Sequence, residues 1–231
     1  SRSGLLIDSA TRRNLELVST LSGSRKGSLL STIDYTMTAS GKRMLSNWLC
    51  SPLTDTDAIN ARLDAVSFLH ADHAFRGTLR TYLRECPDIE RALGRLHQKR
   101  GGPRDLRVIE KGLSLATTLK QKFLLLEKET PALLNRIADD LGIHDALTSE
   151  LLRALREELP LFTRDGNFIA TGYHAALDEF RMLRDESRRL IAAMENRYRE
   201  ETGITTLKIK HNNILGYFIE ITALNEKKVL P

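Results

Sequence analysis

Apolar residues recur with a helical period through most of the first 160 residues of the chain. After Thr38, the residues Met44, Leu45 and Trp48 fall on one helical face before Pro52 closes the segment. We therefore predict a helix here whose apolar face, Trp48 included, lies in the core. Similar segments follow after short polar or glycine-containing breaks, at residues 57–69, 73–86, 88–99, 103–126, 131–141 and 143–159. This pattern predicts a multi-helical core joined by short loops.

A much longer helix is predicted over residues 173–202, because this stretch contains neither Gly nor Pro. At 1.5 Å per residue the helix would be about 45 Å long. Its apolar positions form a narrow stripe among charged residues, which predicts packing against a single partner helix rather than full burial. The stripe consists of Leu177, Phe180, Leu183, Leu190, Met194 and Tyr198. Gly203 is the expected end, because glycine is favoured just past the last helical turn.

Beyond this glycine the apolar period changes from helical to two. Leu207 and Ile209 alternate with lysines, and a second alternating segment covers residues 217–222. Between them, Asn212, Asn213 and Gly216 are residue types that tolerate a positive φ. A small β-hairpin is therefore predicted at the end of the long helix. The fold class predicted from the whole pattern is mainly α, with the only substantial strands after residue 203.

The bulk composition, 41% apolar and 28% charged, is that of an ordinary globular protein. No apolar run approaches the roughly 20 residues that a membrane-spanning helix needs, so no membrane association is expected. The first residues lack the apolar segment of a secretory signal peptide, and none is expected. Two cysteines without metal-binding spacing are typical of a reducing compartment.

The charge balance is only mildly basic, with 35 basic and 30 acidic residues. A nucleic-acid partner and a solvated helical surface both explain such a bias. Lys42 and Arg43 are expected to be half-buried side chains that join helices rather than ligand contacts. The clearest cluster lies between residues 91 and 107, where one acid, Asp105, accompanies Arg95, Lys99, Arg100 and Arg104. Charge alone does not assign a function to this cluster.

No residue pattern with catalytic chemistry is present, since the sequence contains neither a phosphate-binding glycine loop nor a nucleophile elbow. His70 and His73 lie three residues apart on a predicted helix, but no further ligands accompany them at a suitable spacing. The acidic pair Asp88 and Glu90 is expected to serve as helix charges or caps rather than in acid–base chemistry. We therefore expect no catalytic residue, metal or cofactor in this chain, and a helical metalloenzyme is the least favoured class.

The predicted hairpin concentrates hydrogen-bond donors on one strand and its turn. Lys208, Lys210, His211, Asn212 and Asn213 are of the types that bind DNA backbone phosphates without reading the base sequence. The plainer interpretation, which spacing alone favours, is that Lys208 and Lys210 form the solvent-exposed face of a two-sided hairpin. Both interpretations are open at this point.

Seven sequence motifs follow one another along nearly the whole chain. They are TRRNLEL after Asp8, GSLL at residues 27–30, G-x-R-x-L-x-x-W-L-x-x-P at 41–52, DIER at 88–91, PRDL at 103–106, D-G-x-x-I-x-x-G-Y at 165–173 and T-G-I-x-x-L-K-x-x-x-N-x-x-x-G-Y at 202–217. Each is weakly specific by itself, and the specificity comes from their common register. In this order they resemble the motifs of the bacterial MutS family of DNA mismatch-repair proteins.

The resemblance implies a helical core that links an N-terminal mismatch reader to a C-terminal ATPase. Two lever helices rise from such a core, and a small β clamp at their tips closes over DNA within a homodimer. Residues 1–187 would then be the core and the ascending lever helix, and residues 188–231 the end of the lever and part of the clamp domain. The five hairpin donors would contact the DNA backbone at the clamp.

The resemblance also implies partners and a location. Mismatch-containing double-stranded DNA, a second copy of the protein and a MutL-type partner are expected, in a bacterial cytoplasm and associated with the nucleoid. ATP and Mg²⁺ would bind the ATPase. That domain and the mismatch reader are expected outside this sequence, so no enzyme activity is expected within it. The alternative is a helical scaffold unrelated to DNA whose long helix is a coiled-coil docking arm, and salt-dependent binding of duplex DNA distinguishes the two.

Overall fold

The computed structural model describes residues 4–228 and divides into two units, the first extending to Ala170 and the second beginning at Thr171. In the described part of the first unit, extended pairing is limited to two isolated bridges, Gly4 with Leu53 and Leu155 with Ile169. The prediction of a helical first part is confirmed. Its helices are α1 (Ser9–Asn14), α2 (Leu29–Ile33), α3 (Ala39–Cys50), α4 (Thr56–Ala71), α5 (His73–Glu85), α6 (Ile89–His97), α7 (Pro103–Leu124), α8 (Ala132–Asp140) and α9 (Asp145–Ala154), followed by a 3-10 turn at Thr163–Asp165.

Short polar side chains determine where several of these helices begin. Each accepts a hydrogen bond from a backbone N–H of the first turn that would otherwise lack a partner. Helix α7 begins differently, with Pro103 in its first position and the Oδ2 of Asp105 accepting the N–H of Gly102 at 2.9 Å. The side-chain caps of α1 to α6 are Asp8, Ser28, Thr38, Asp55, Asp72 and Asp88.

Helix α7 is the centre of the first unit, since α5, α6, α8 and α9 all pack against it. Its buried residues include Ile109 and Leu119, and α6 contributes the fully buried Ala92. Gly112 permits the close approach of α6, because a Cβ at this position would lie 2.1 Å from the Cδ1 of Ile89. The basic cluster of residues 95–104 lies at the end of α6, in the loop that follows it and at the start of α7.

Helix α9 ends at Ala154, before its predicted end at residue 159. Leu155 forms a bridge with Ile169 instead, and the N–H of Arg156 donates to the carbonyl of Phe168 at 2.9 Å. Backbone pairing with a returning segment thus replaces the last helical turns, a tertiary contact that helical periodicity does not reveal.

The prediction that Trp48 lies in the core is wrong. Trp48 is 44% exposed and Met44 is 52% exposed, and α3 has no fully buried residue. The guanidinium of Arg62 lies 3.6 Å from the centroid of the indole ring. The stacked guanidinium covers part of the half-exposed indole ring. Within the described residues, nothing else buries this apolar face of α3 completely.

The second unit consists of α10 (Ala175–Thr202), β1 (Lys208–Asn212), β2 (Gly216–Glu220) and a 3-10 helix at Ala223–Lys228. Helix α10 ends at Gly203, whose φ is +66°, as predicted. The next apolar residues, Ile204 and Leu207, are 1% and 2% exposed and form the buried base of the hairpin. Of the three turn residues that tolerate a positive φ, only Gly216 adopts one, at +70°.

The middle of the apolar stripe of α10 is exposed within the described residues, whereas Leu177 and Tyr198 near its ends are half-buried. Helix α10 has no fully buried residue, and Phe180, Leu183 and Leu190 are each more than half exposed. The partner helix expected for this stripe therefore stays a prediction.

The expected division of the chain between residues 187 and 188 falls inside α10, which is continuous at that point. As a boundary between family domains it also stays a prediction. Among the described residues, no helix is long and apolar enough to cross a membrane.

Candidate nucleic-acid interface

The two faces of the hairpin carry different side chains. Cross-strand register places Ile209 opposite Ile219 and His211 opposite Tyr217, so these four share one face. The rings of His211 and Tyr217 meet edge to face with centroids 4.8 Å apart. The opposite face carries Lys208, Lys210, Asn212, Phe218 and Glu220. The five predicted donors are therefore not all on one face, because His211 lies on the other side from both lysines.

The two lysines differ in their availability to a ligand. The Nζ of Lys210 lies 2.6 Å from the Oε2 of Glu220, and both side chains are 49% exposed. Such a solvated ion pair contributes at most about 1 kcal/mol, so a phosphate can replace the carboxylate. Lys208 is exposed and forms no ion pair within residues 4–228. Lys208 is therefore more available to a ligand than Lys210, whose ammonium group must first exchange the carboxylate of Glu220 for a phosphate.

Asn212 builds the turn with its side chain rather than with its backbone conformation. Its Oδ1 accepts the N–H groups of Ile214 at 2.9 Å and Leu215 at 2.7 Å. The side-chain amide nitrogen can still donate, because only the carbonyl oxygen is used in the turn. Asn213 follows in the exposed turn. The structure therefore gives Asn212 a role in shaping the turn.

Two side chains of α10 hold the first strand, and the sequence analysis missed them. The Oε2 of Glu195 accepts the N–H of Ile209 at 2.8 Å, and the Nε of Arg199 donates to the carbonyl of Leu207 at 2.7 Å. Glu195 and Arg199 also pair with each other, one helical turn apart. We call this pair the hairpin anchor. The spacing of four between a glutamate and an arginine was its only sequence signal, and such spacing is common in charged helices.

The other candidate residues of the sequence analysis have structural roles. The Nζ of Lys42 lies 3.3 Å from Asp34, and Arg43 donates to both carboxylate oxygens of Asp88 at 2.8 Å and to Glu90 at 2.6 Å. The guanidinium of Arg43 lowers the pKa of Asp88 to about 2. The prediction of a half-buried side chain that joins helices is confirmed for Arg43, which links α3 to the start of α6. Lys42 pairs with the residue at the end of α2 but is itself exposed.

The histidine pair is also tied to neighbouring protein groups. The rings of His70 and His73 lie 6.1 Å apart, and Arg76 bonds to the Nδ1 of His73. The carboxylate of Asp72 accepts from Lys128 at 3.0 Å. Within residues 4–228, no group of three or more His, Cys, Asp or Glu side chains is placed to hold a metal ion.

These features define a class: a helical protein whose second unit is a long helix ending in an anchored, donor-bearing β-hairpin. The family model of MutS domain III matches residues 10–211 of this chain. The chain therefore belongs to the MutS domain III family.

Curated relatives agree with this assignment. Proteins named DNA mismatch repair protein MutS are 52% identical in Roseobacter denitrificans and 50% identical in Nitrobacter winogradskyi, over 97% and 100% of this chain. The relative of that name in Dinoroseobacter shibae is 50% identical over 98% of the chain. The chain spans about a quarter of the length of these relatives, 25% and 26% in the first two. The matched family is that of domain III, which is not the ATPase domain.

Proposed function

We propose that this chain is the core and lever part of a DNA mismatch-repair protein, and that its hairpin contacts the DNA backbone without reading sequence. The observation that carries the proposal is 52% identity to a protein of that name over 97% of the chain. The described geometry supports it, because α10 extends over 28 residues and ends in a hairpin with exposed cations.

The proposed mechanism is mechanical rather than chemical. Helix α10 contains no Gly or Pro, the residues at which helices most often kink, so it is suited to transmit a displacement between its ends. The hairpin anchor of Glu195 and Arg199 fixes the first strand to the last turns of that helix. A movement of the hairpin on DNA would thereby move the helix with it.

The proposed DNA contact is electrostatic. Lys208 and Lys210 place two ammonium groups on one face of β1, and Asn212 and Asn213 add amide donors at the turn. Such donors bind phosphate oxygens of any base sequence, and each phosphate that they neutralise releases condensed counterions. The plainer interpretation, a solvent-exposed face, is distinguished from it by the salt dependence of binding.

The properties of the whole protein are part of the proposal. They include a homodimer, a MutL-type partner, ATP and Mg²⁺ at an ATPase domain outside this chain, and a place in the bacterial cytoplasm near the nucleoid. The identity of this chain to the named relatives supports these properties. Those proteins are about four times as long as this chain, so they have room for further domains.

The test is a fluorescence-anisotropy titration of a labelled 30-base-pair duplex with the 231-residue chain, between 25 and 200 mM NaCl. We expect non-specific affinity, with a Kd on the order of 10⁻⁴ to 10⁻⁶ M at physiological salt, and the same Kd for a mismatched duplex. The double variant Lys208→Gln/Lys210→Gln should reduce the slope of log K against log salt by about 2. The control Lys26→Gln/Lys111→Gln removes two exposed lysines of the first unit and should leave that slope unchanged.

Three results would contradict the proposal. Mismatch-selective binding by this chain would show that recognition of the mismatch resides in this chain. Equal losses in the two double variants would place the contact outside the hairpin. Absence of binding even at 25 mM NaCl would favour the scaffold with a protein-docking arm.

A further inference from the structure

A basic cleft lies in the first unit, where the loop between α6 and α7 meets the segment at residues 161–164. Its volume is about 600 Å³, within the range of sites for small ligands. Five cations line it against one carboxylate. The charged residues of this basic cleft are Arg95, Lys99, Arg100, Arg104, Arg164 and Asp105.

The single carboxylate of the basic cleft is already engaged. Asp105 accepts from the Nε of Arg95 and from the N–H of Gly102, both at 2.9 Å, and is only 8% exposed. The guanidinium of Arg95 holds the pKa of Asp105 below its ordinary value. Asp105 therefore balances Arg95 and leaves the other four cations without a compensating charge in the cleft lining.

Lys99 has a backbone conformation that normally selects glycine. Helix α6 ends with the N–H of Lys99 donating to the carbonyl of Leu96 at 3.0 Å, and the N–H of Arg100 donating to that of Arg95 at 2.9 Å. These two bonds form a Schellman motif, in which the left-handed residue is usually glycine. Lys99 is that residue, with a φ of +57°. A lysine here lines the cleft at a conformational cost that glycine would avoid.

Two glycines follow Arg100, and at both of them the backbone lies close to its neighbours. A Cβ on Gly101 would lie 2.5 Å from the Cδ2 of Leu96, and one on Gly102 would lie 2.9 Å from the carbonyl oxygen of Leu161. This close approach brings the segment at residues 161–164 against the loop and forms one wall of the cleft. The concavity is therefore a product of packing rather than of a loosely placed loop.

Protein contacts orient two of the arginines while leaving donors free. The Nε of Arg104 donates to the carbonyl of Leu159 at 3.0 Å, which leaves its two terminal nitrogens for a ligand. The guanidinium of Arg164 lies 4.7 Å from the centroid of the Phe162 ring. Arg100 is exposed and forms no ion pair among the residues that the structure describes. Orienting a side chain in advance reduces the entropy that binding must overcome.

We propose that the basic cleft binds the phosphate groups of a nucleotide-sized ligand. Guanidinium groups match phosphate oxygens in geometry as well as charge, and a bound polyanion would relieve the repulsion among four clustered cations. Phe162, which is 50% exposed, offers an apolar surface beside them for a base or sugar. Free polyphosphates and the phosphodiesters of a nucleic-acid strand share this chemistry. The site is independent of the function proposed for the hairpin, which lies in the other unit.

Isothermal titration of the 231-residue chain tests the assignment with two probes, sodium tripolyphosphate and the oligonucleotide dT5, at matched ionic strength. The cleft variants are Lys99→Gly and Arg100→Gln, and each should weaken binding about ten-fold, the loss expected for one charge-assisted contact. Lys99→Gly should also raise the melting temperature or leave it unchanged, since glycine suits the left-handed position. Loss of binding in that variant therefore cannot come from misfolding.

The matched control is Arg136→Gln, which removes an exposed arginine of α8 outside the cleft. It should leave the affinities for both probes unchanged. Selective weakening of tripolyphosphate alone identifies a free phosphate ligand, and weakening of both probes extends the site to nucleic-acid strands. The proposal is overturned if neither probe binds, or if the cleft variants weaken binding no more than Arg136→Gln does.

Discussion

Removing the carboxylate of Glu195 tests whether the hairpin anchor holds the first strand on α10. In the parent chain the carboxylate accepts the N–H of Ile209 at 2.8 Å and pairs with Arg199. The change Glu195→Ala leaves that N–H without its acceptor and leaves Arg199 with the carbonyl of Leu207 but without its carboxylate partner. The change Glu195→Gln keeps an acceptor oxygen and removes only the charge, so it should have a smaller effect.

The magnitude follows from the chemistry and the exposure of the anchor. A hydrogen bond to a charged group contributes about 1.5–3 kcal/mol. The side chains of Glu195 and Arg199 are 22% and 30% exposed, so partial solvation places this bond at the lower end of that range. A loss of about 1.4 kcal/mol corresponds to a ten-fold change in an equilibrium constant. Amide exchange at Ile209 should therefore accelerate about ten-fold in Glu195→Ala.

Hydrogen exchange followed by nuclear magnetic resonance measures this directly. The amide of Leu119, buried in α7 of the other unit, serves as the internal reference and should be unaffected. Glu200→Gln removes an exposed carboxylate from the same helix and should leave Ile209 unchanged. Equal exchange at Ile209 in Glu195→Ala and the parent chain would refute the reasoning. A parallel acceleration at Leu119 would do so too, because it would indicate general destabilisation.

Three further predictions concern stability and association. Gly112→Ala should destabilise the chain by about 1–2 kcal/mol in urea titrations, because overlap with Ile89 outweighs the helix propensity of alanine. The same change at the unobstructed Gly77 should stabilise the chain by up to about 1 kcal/mol in the same assay. Arg43 lowers the pKa of Asp88 to about 2, so the stabilisation that the Asp88 carboxylate provides is complete above about pH 4 and is lost as the pH falls through 2. Over this window the urea midpoint of unfolding should therefore fall less in Asp88→Asn than in the parent chain. Helix α10 should either pair with a second copy in sedimentation experiments or exchange its amides quickly, and slow exchange in a proven monomer would contradict the uncovered stripe.

Local sequence signals predicted the elements of the second unit well. Residues 173–202 lack a helix breaker, Gly203 ends the helix with a left-handed φ, and the switch to alternating apolar positions marks the strands. Each of these signals acts within a few residues of the structure that it specifies. The observed bounds of α10 and of both strands are correspondingly close to the predicted ones.

Long-range contacts account for what the sequence did not predict. The early end of α9 depends on a partner segment at residues 168–169. The exposure of Trp48 depends on how far the other described residues cover its ring. In the candidate site, residue type indicated which side chains are able to donate a hydrogen bond, but it did not show that Lys210 pairs with Glu220. The role of Asn212 in the turn was also missed, because its side chain replaces the positive φ that was expected.

The length of α10 has a geometric consequence for any motion at its ends. With 28 residues, the helix is about 42 Å long. For a rod of that length, a tilt of about 5° at one end displaces the other by about 4 Å, more than the length of a hydrogen bond. A tilt of that size at the base would be enough to make or break the phosphate contact proposed at the tip. Because the helix has no flexible joint, the position of its far end responds to a small tilt and needs no large conformational change.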